Sequence, residues 1–354
     1  MPIFDQGYQH WSGHLSSHAW RWLAITRRGV RNALQPRLVR LMLLIAWAPA
    51  LVLAFVLCLW GLVERQSDLV KSLEPLLTSA LGRPILAGPR EFRVDIWTLC
   101  FHYFLAWELW FAMLLVLLVG PNLISQDLRY NALPLYFSRP LRRIDYFVGK
   151  LGVIVAILGM TITLPSLVAY TLGLLFSLDV TIVRDTFKLL FASAVYGLVV
   201  ALSAGLLMLA LSSLSRNSRY VALFWMSIWI VTSTVSWVLI TVDQEQRLNE
   251  AGMRRRVWAN EEFLARELEA QESDWRPLIS YTANLRRIEE RLLGTNESWQ
   301  RLSQLSPAGT RGPLMMQMMN TQHPWYWSAA VLAGLFVASA CILNLSIKSL
   351  DRLK

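Results

Sequence analysis

Residues 121–150, PNLISQDLRYNALPLYFSRPLRRIDYFVGK, separate two long apolar runs, and their reading decides the rest of the chain. The stretch carries Arg129, Arg139, Arg142, Arg143 and Lys150 against only Asp127 and Asp145. A cationic excess in a short loop beside a membrane span marks the cytoplasmic side. Pro121, Pro134 and Pro140 interrupt it, so one continuous helix is excluded. The pattern predicts a short helix, a turn, and a second helix that runs into the next span. Leu128, Leu133, Leu135, Tyr136 and Phe137 offer apolar contacts that a passive linker has no need of.

Outward from this connector, the composition belongs in a bilayer. Of 354 residues, 55% are apolar and 16% charged, with 16 tryptophans, whereas soluble domains carry about 25% charged residues. Apolar runs at roughly 41–63, 96–119, 148–177, 187–211, 221–242 and 325–347 are each long enough to cross about 30 Å of hydrocarbon at 1.5 Å per residue. The expected fold is therefore an all-α polytopic membrane protein with six transmembrane helices. An even number places both termini on one side. Arg37 and Arg40 before the first run, and Lys348, Arg352 and Lys354 after the last, make that side cytoplasmic. The expected cytoplasmic pieces hold 16 Lys or Arg against 4 Asp or Glu, which accounts for the net charge of +10. The basic excess is thus orientation bias and not a nucleic-acid face. Cys58, Cys100 and Cys341 all fall in predicted spans, so no external disulfide framework is expected. The first apolar run starts only after forty residues, where no cleavable signal peptide is read.

Four regions follow. Residues 1–40 form a cytoplasmic tail with an interfacial helix, 41–242 the first five spans, 243–323 an extracytoplasmic helical domain, and 324–354 the last span with its tail. In the tail, His10, His14 and His18 are four apart, but Gly13 and the serines around them argue against a rigid metal-binding helix. From Trp20, WRWLAITRRGVRNALQPR mixes aromatic rings with Arg21, Arg27, Arg28 and Arg31, as suits a lipid headgroup region. Leu69, Leu73, Leu76 and Ala80 make an amphipathic stripe in the first outer loop.

Within the spans, Glu108 sits near mid-membrane between Trp107 and Trp110, a costly position that must face protein or water. It is either a polar contact in a translocation path or a hydrogen-bonded interhelical contact. Gly152, Gly159, Pro165 and Gly173 predict a kinked or broken third span. Ser193, Gly197, Ala201 and Gly205 form a small-residue ridge for close helix packing, within the subunit or across a dimer. Ser227, Thr234 and Thr241 recur at heptad spacing, to line a substrate route or to bond between helices. In 243–323, Leu285, Ile288 and Leu292 stripe a helix that Gly294 ends, and Glu250/Arg254 and Glu262/Arg266 have helix-stabilising order. Met315, Met316, Met318 and Met319 suit a flexible apolar contact better than a copper site.

The order Leu-Ile-Ser-x-Asp-Leu-Arg, Ala-Leu-Pro-Leu-Tyr, Ser-Arg-Pro-Leu, Asp-Tyr and Gly-Lys from Leu123 to Lys150 resembles the first intracellular loop of ABC-2-type ABC transporter permeases. The resemblance covers about thirty residues closely. The arginine-rich start, the Ser215–Arg219 turn and the last span match as a looser pattern. It implies the membrane subunit of an ABC exporter with a hydrophobic or amphiphilic cargo and a bacterial inner-membrane location. A separate ATPase subunit would carry ATP and Mg, a second permease subunit would pair with this one, and the loop would form the coupling helix. Asp127, Arg129, Tyr136, Arg139 and Arg142 are the expected ATPase contacts, with Glu108, Ser227, Thr234 and Thr241 on the possible path. Ile279–Gly294 resembles the family's membrane-surface helix after the fifth span. No phosphate loop, His-Glu-x-x-His, Gly-x-Ser-x-Gly or Cys-x-x-Cys occurs, so this chain is not expected to be an enzyme or to bind its own cofactor or metal. Two alternatives differ in class: a membrane scaffold or sensor acting through 243–323, and an ion-coupled transporter using Glu108.

Overall fold

The computed structural model describes residues 20–65, 83–132, 142–177, 181–250, 270–305 and 323–351. Among them there is no strand, and six helical segments are long and apolar enough to cross a membrane. These spans are Arg37–Glu64, Arg93–Arg129, Ile144–Ser177, Thr181–Leu214, Ser218–Gln246 and Trp325–Ser346. The His10–His18 trio, the 69–80 stripe, Glu262/Arg266 and the Met315–Met319 cluster lie outside the described residues.

The fourth span is the axis of the bundle. It packs against the second, third, fifth and sixth spans, while the first span packs on the second and third. Its small-residue ridge explains this position, because glycine lets a neighbouring helix approach closely. A Cβ on Gly197 would come 2.8 Å from Thr163 Oγ1, and one on Gly205 2.6 Å from Leu151 Cδ1. The ridge therefore mates with the third span of the same chain.

Of the two outcomes its glycines and proline predict, a kinked or a broken helix, the third span is not broken: it runs continuously over Ile144–Ser177. It contains a π-helical turn at Gly159–Thr163, and α-helix resumes at Leu164. Pro165 offers no N–H to the carbonyl of Thr161 and its ring crowds that carbonyl, and widening the turn relieves both problems. Thr161 Oγ1 also donates to the Ile157 carbonyl at 2.9 Å, just before the widened turn.

One end of the bundle gathers the connector, the helix Arg21–Ala33 and the end of the sixth span. Thr26 Oγ1 donates to the Gly149 carbonyl at 2.9 Å, and Ser213 and Ser346 hydroxyls meet at 3.2 Å. At the far end, a buried ion pair joins Glu64 of the first span to Arg93 of the second. Arg93 Nε and Nη2 donate to the two carboxylate oxygens at 2.8 and 2.6 Å. Trp60 Nε1 adds a third bond to Glu64 at 2.7 Å, and Arg93 Nη1 reaches Thr181 Oγ1 of the fourth span at 3.3 Å.

The segment after the fifth span is placed differently from the surface helix expected of it. Ser280 caps the helix Tyr281–Leu293 by accepting from the Ala283 N–H, and Gly294 ends it at φ 76°, a left-handed value suited to glycine. This helix is lodged against the second, fourth and sixth spans. Tyr281 is buried, its hydroxyl 3.0 Å from Ser203 in the fourth span and its ring edge-on to Trp225 of the fifth. Such depth explains the striping: Leu285 is fully buried, with Ile288 and Leu292 packed on the same core.

Candidate functional site

The connector begins as the helix Asn122–Arg129, continuous in direction with the second span and held at both of its ends. The first N–H groups of any helix lack partners of their own. Here Ser212 of the fourth span supplies one: its hydroxyl accepts from Ile124 N at 3.1 Å and Ser125 N at 2.9 Å, and donates to the Pro121 carbonyl at 3.0 Å. Ser212 is fully buried, so this cap borrowed from another span is shielded from water. The helix closes at Asn131, whose φ of 51° is the left-handed turn that asparagine tolerates.

Asp127 joins this helix to the third span. It accepts from the Tyr146 hydroxyl at 2.6 Å and pairs with Lys150 Nζ at 2.7 Å, while Lys150 also lies over the Tyr146 ring. The Asp127 carboxylate, one of the expected ATPase contacts, is engaged inside the chain. Tyr146 and Lys150 were not singled out from sequence as its partners, although their spacing of four puts them on one helical face. Arg129 and Arg142 are exposed, as a docking role requires. The Arg129 guanidinium sits 5.7 Å from the Tyr130 ring centre. Arg142 N donates to Asp145 Oδ2 at 3.2 Å, capping the third span's helix. Tyr136 and Arg139 lie outside the described residues.

The candidates within the spans separate into two groups. Glu108 is fully buried, and neither carboxyl oxygen has a hydrogen-bond partner among the described residues. The rings of Phe101 and Tyr170 pack edge to face across the second and third spans. Counting inward from that antiparallel contact brings Glu108 level with the widened turn Gly159–Thr163, which packs on the second span. Ser227, Thr234 and Thr241 point the other way. All three are exposed, and each hydroxyl donates to its own helix four residues back, at 2.9, 2.9 and 2.8 Å. Among the described residues they bond to no neighbouring helix. They form a polar seam on the chain's outer face.

A polar cluster not read from the sequence lies along the inserted helix. His102 Nδ1 faces both Glu289 oxygens, at 3.0 and 3.1 Å, and Arg287 Nη1 donates to Glu290 Oε2 at 3.1 Å. His102, Arg287, Glu289 and Glu290 are all buried. Charged residues in a helix usually mark a solvated face, which is why RRIEER gave no hint of an interior position. Nearby, His323 Nε2 meets Ser328 Oγ at 3.0 Å, and burial, aided by Arg287, pushes its imidazole down to about 4. Among the described residues, no three His, Cys, Asp or Glu side chains gather as metal ligands would.

An apolar cleft of about 410 Å³ opens between the first and second spans, lined by residues that include Val52, Leu53, Tyr103, Phe104 and Trp107. No protein-family model matches the sequence, and no curated protein is significantly similar to it.

Proposed function

We propose that the chain is the membrane subunit of an ATP-driven exporter of the ABC-2 type, with its connector on the cytoplasmic face as the seat of a separate ATPase. The single observation that carries this reading is the bracing of the connector. A helix needed only to join two spans has no use for a buried cap from a third span and a charged clamp to a second. Because Ser212 and Asp127 tie Asn122–Arg129 to the fourth and third spans, force on the connector moves three spans as one body. That is the linkage a rigid-body transition between inward and outward states requires. The resemblance of Leu123–Lys150 to the family's coupling loop supports the same reading.

In this account the exposed Ser227–Thr234–Thr241 seam faces a second permease subunit, where the hydroxyls flank a path between two copies. The fifth span suits that place, having the least buried apolar window of the six, at 17%. The apolar cleft and aromatic spans favour a hydrophobic or amphiphilic cargo. The test is affinity purification of the full chain from its native membrane. Recovery of a stoichiometric ATPase supports the proposal, and a chain that emerges alone under several mild detergents contradicts it.

One observation favours a second reading, ion coupling through Glu108. An unpaired buried carboxyl is expensive in hydrocarbon, by about 2.5 kcal/mol or more, so it is retained for a use. Glu108→Gln keeps the shape and removes the titration. If transport is proton-coupled, this variant loses its dependence on an imposed pH gradient. If ATP alone drives transport, the variant retains ATP-dependent transport within about twofold, since the amide and the carboxyl have similar shape and volume.

A further inference from the structure

We propose that the outward face of the helix Arg21–Ala33 binds the phosphate headgroup of an anionic phospholipid. One side of this helix is docked on the start of the third span. Thr26 is buried and bonded to the Gly149 carbonyl. Gly149, Gly152 and Gly29 allow contact so close that a Cβ would fall within 2.7 Å of Ile25, Thr26 and Val153, respectively. Helical spacing then fixes what the other side presents. Trp20, Leu23, Ala24, Arg27, Arg28 and Arg31 share it, all exposed, around a groove of about 420 Å³.

Two features separate this groove from a general basic surface. First, Arg27, Arg28 and Arg31 have no ion-pair partner among the described residues, and the sequence from Trp20 to Val63 contains no Asp or Glu. Three guanidiniums on adjacent turns therefore have no anion among the described residues, and guanidinium favours phosphate oxygens through paired N–H donors. Second, the groove has an apolar edge. Trp20 is 63% exposed and Leu23 44% exposed, too much apolar surface to leave in water on a helix that is otherwise well docked. The helix lies across the level where the third span begins, at the edge of the apolar bundle. There the Trp and Leu rim meets acyl chains while the arginines meet headgroups. A free anion would satisfy the cations and leave the apolar rim in water, so the occupant is a lipid. The inference does not depend on the exporter reading.

The test is native mass spectrometry of the full chain in detergent with dioleoylphosphatidylglycerol or dioleoylphosphatidylcholine added. The chain is expected to retain phosphatidylglycerol preferentially, and the preference to fall as salt screens it. Each cation near an anionic headgroup contributes about fivefold, so Arg27→Gln, Arg28→Gln and Arg31→Gln together lower retention by roughly a hundredfold. The matching Lys triple variant, which keeps the charge but not the paired donors, retains more of the preference than the Gln triple variant and shows that charge, not folding, is at issue. Equal retention of the two lipids by the unaltered chain would overturn the proposal. So would a salt-independent preference, or displacement of phosphatidylglycerol by millimolar inorganic phosphate.

Discussion

Arg93→Ala is expected to cost about 3–5 kcal/mol of folding stability, the penalty for leaving a buried carboxylate without its partner. The side chains of Arg93 and Glu64 are each 3% exposed, so water cannot take over the missing role. Removing the guanidinium strips both oxygens of Glu64 of charge-assisted bonds and leaves, among the described residues, only the Trp60 indole N–H. It also removes the contacts of Arg93 to Thr181 and Asp185 at the start of the fourth span. Thermal unfolding in detergent, followed by a thiol-independent probe, reads the effect. Arg93→Lys should recover only part of it, because an ammonium cannot reproduce the bidentate geometry. Glu64→Ala combined with Arg93→Ala should be less destabilised than the two single losses added together, by the coupling between them. A loss under about 1 kcal/mol for Arg93→Ala, the scale of an exposed pair, would show that the far-end clamp is solvated.

The second large effect lies at the connector, where two nearby charges are assigned different work. Arg129 is exposed and holds no carboxylate of its own chain among the described residues, so on the exporter proposal Arg129→Glu is expected to act on the ATPase. An interfacial arginine of hot-spot type contributes about 2 kcal/mol, which predicts a roughly thirtyfold fall in ATPase recovery with an unchanged unfolding temperature. Asp127→Asn is expected to do the opposite. It weakens the clamp to Tyr146 and Lys150, lowers stability by about 1.5–3 kcal/mol, and leaves ATPase recovery intact. Parallel purification and melting curves of the two variants distinguish docking from bracing. Normal ATPase recovery with Arg129→Glu would remove that residue from the interface.

Much of this architecture is legible in the sequence because bilayer physics leaves few choices. Long apolar runs must be helices, and the small-residue ridge at Ser193–Gly205 announces a close neighbour. What the ridge does not reveal is which neighbour, since the third span and a second subunit offer the same kind of surface. The π turn at Gly159–Thr163 escaped for a related reason. Gly159 and Pro165 signal a disturbed helix, but whether it breaks or widens is decided by the packing around it. The hydroxyls of Ser227, Thr234 and Thr241 share a face by spacing alone. That the face is turned outward follows from how the fifth span sits on Trp110, Met113 and the inserted helix.

The inserted helix is the largest departure. YTANLRRIEERLL reads as amphipathic from its Leu285, Ile288 and Leu292 stripe, and the family resemblance implied a membrane-surface helix. It is accommodated inside because His102, itself unremarkable within an apolar run, stands opposite Glu289, and because Arg287 pairs with Glu290 along the same helix. Long-range charge pairing of this kind leaves no local periodicity to detect. At the connector the cations were legible as a group, while the division of labour was not: Asp127 and Lys150 are spent on each other, and Arg129 and Arg142 remain exposed.

The exporter account rests on the connector facing the cytoplasm. Tyr130, 72% exposed at the tip of its helix, is the position at which to test this. With Cys58→Ala, Cys100→Ala and Cys341→Ala as background, Tyr130→Cys provides a single thiol for a membrane-impermeant maleimide. The account predicts labelling in inverted membrane vesicles and protection in intact cells. Labelling from outside intact cells, with protection in inverted vesicles, would reverse the orientation and remove the ATPase, its coupling and the direction of transport together.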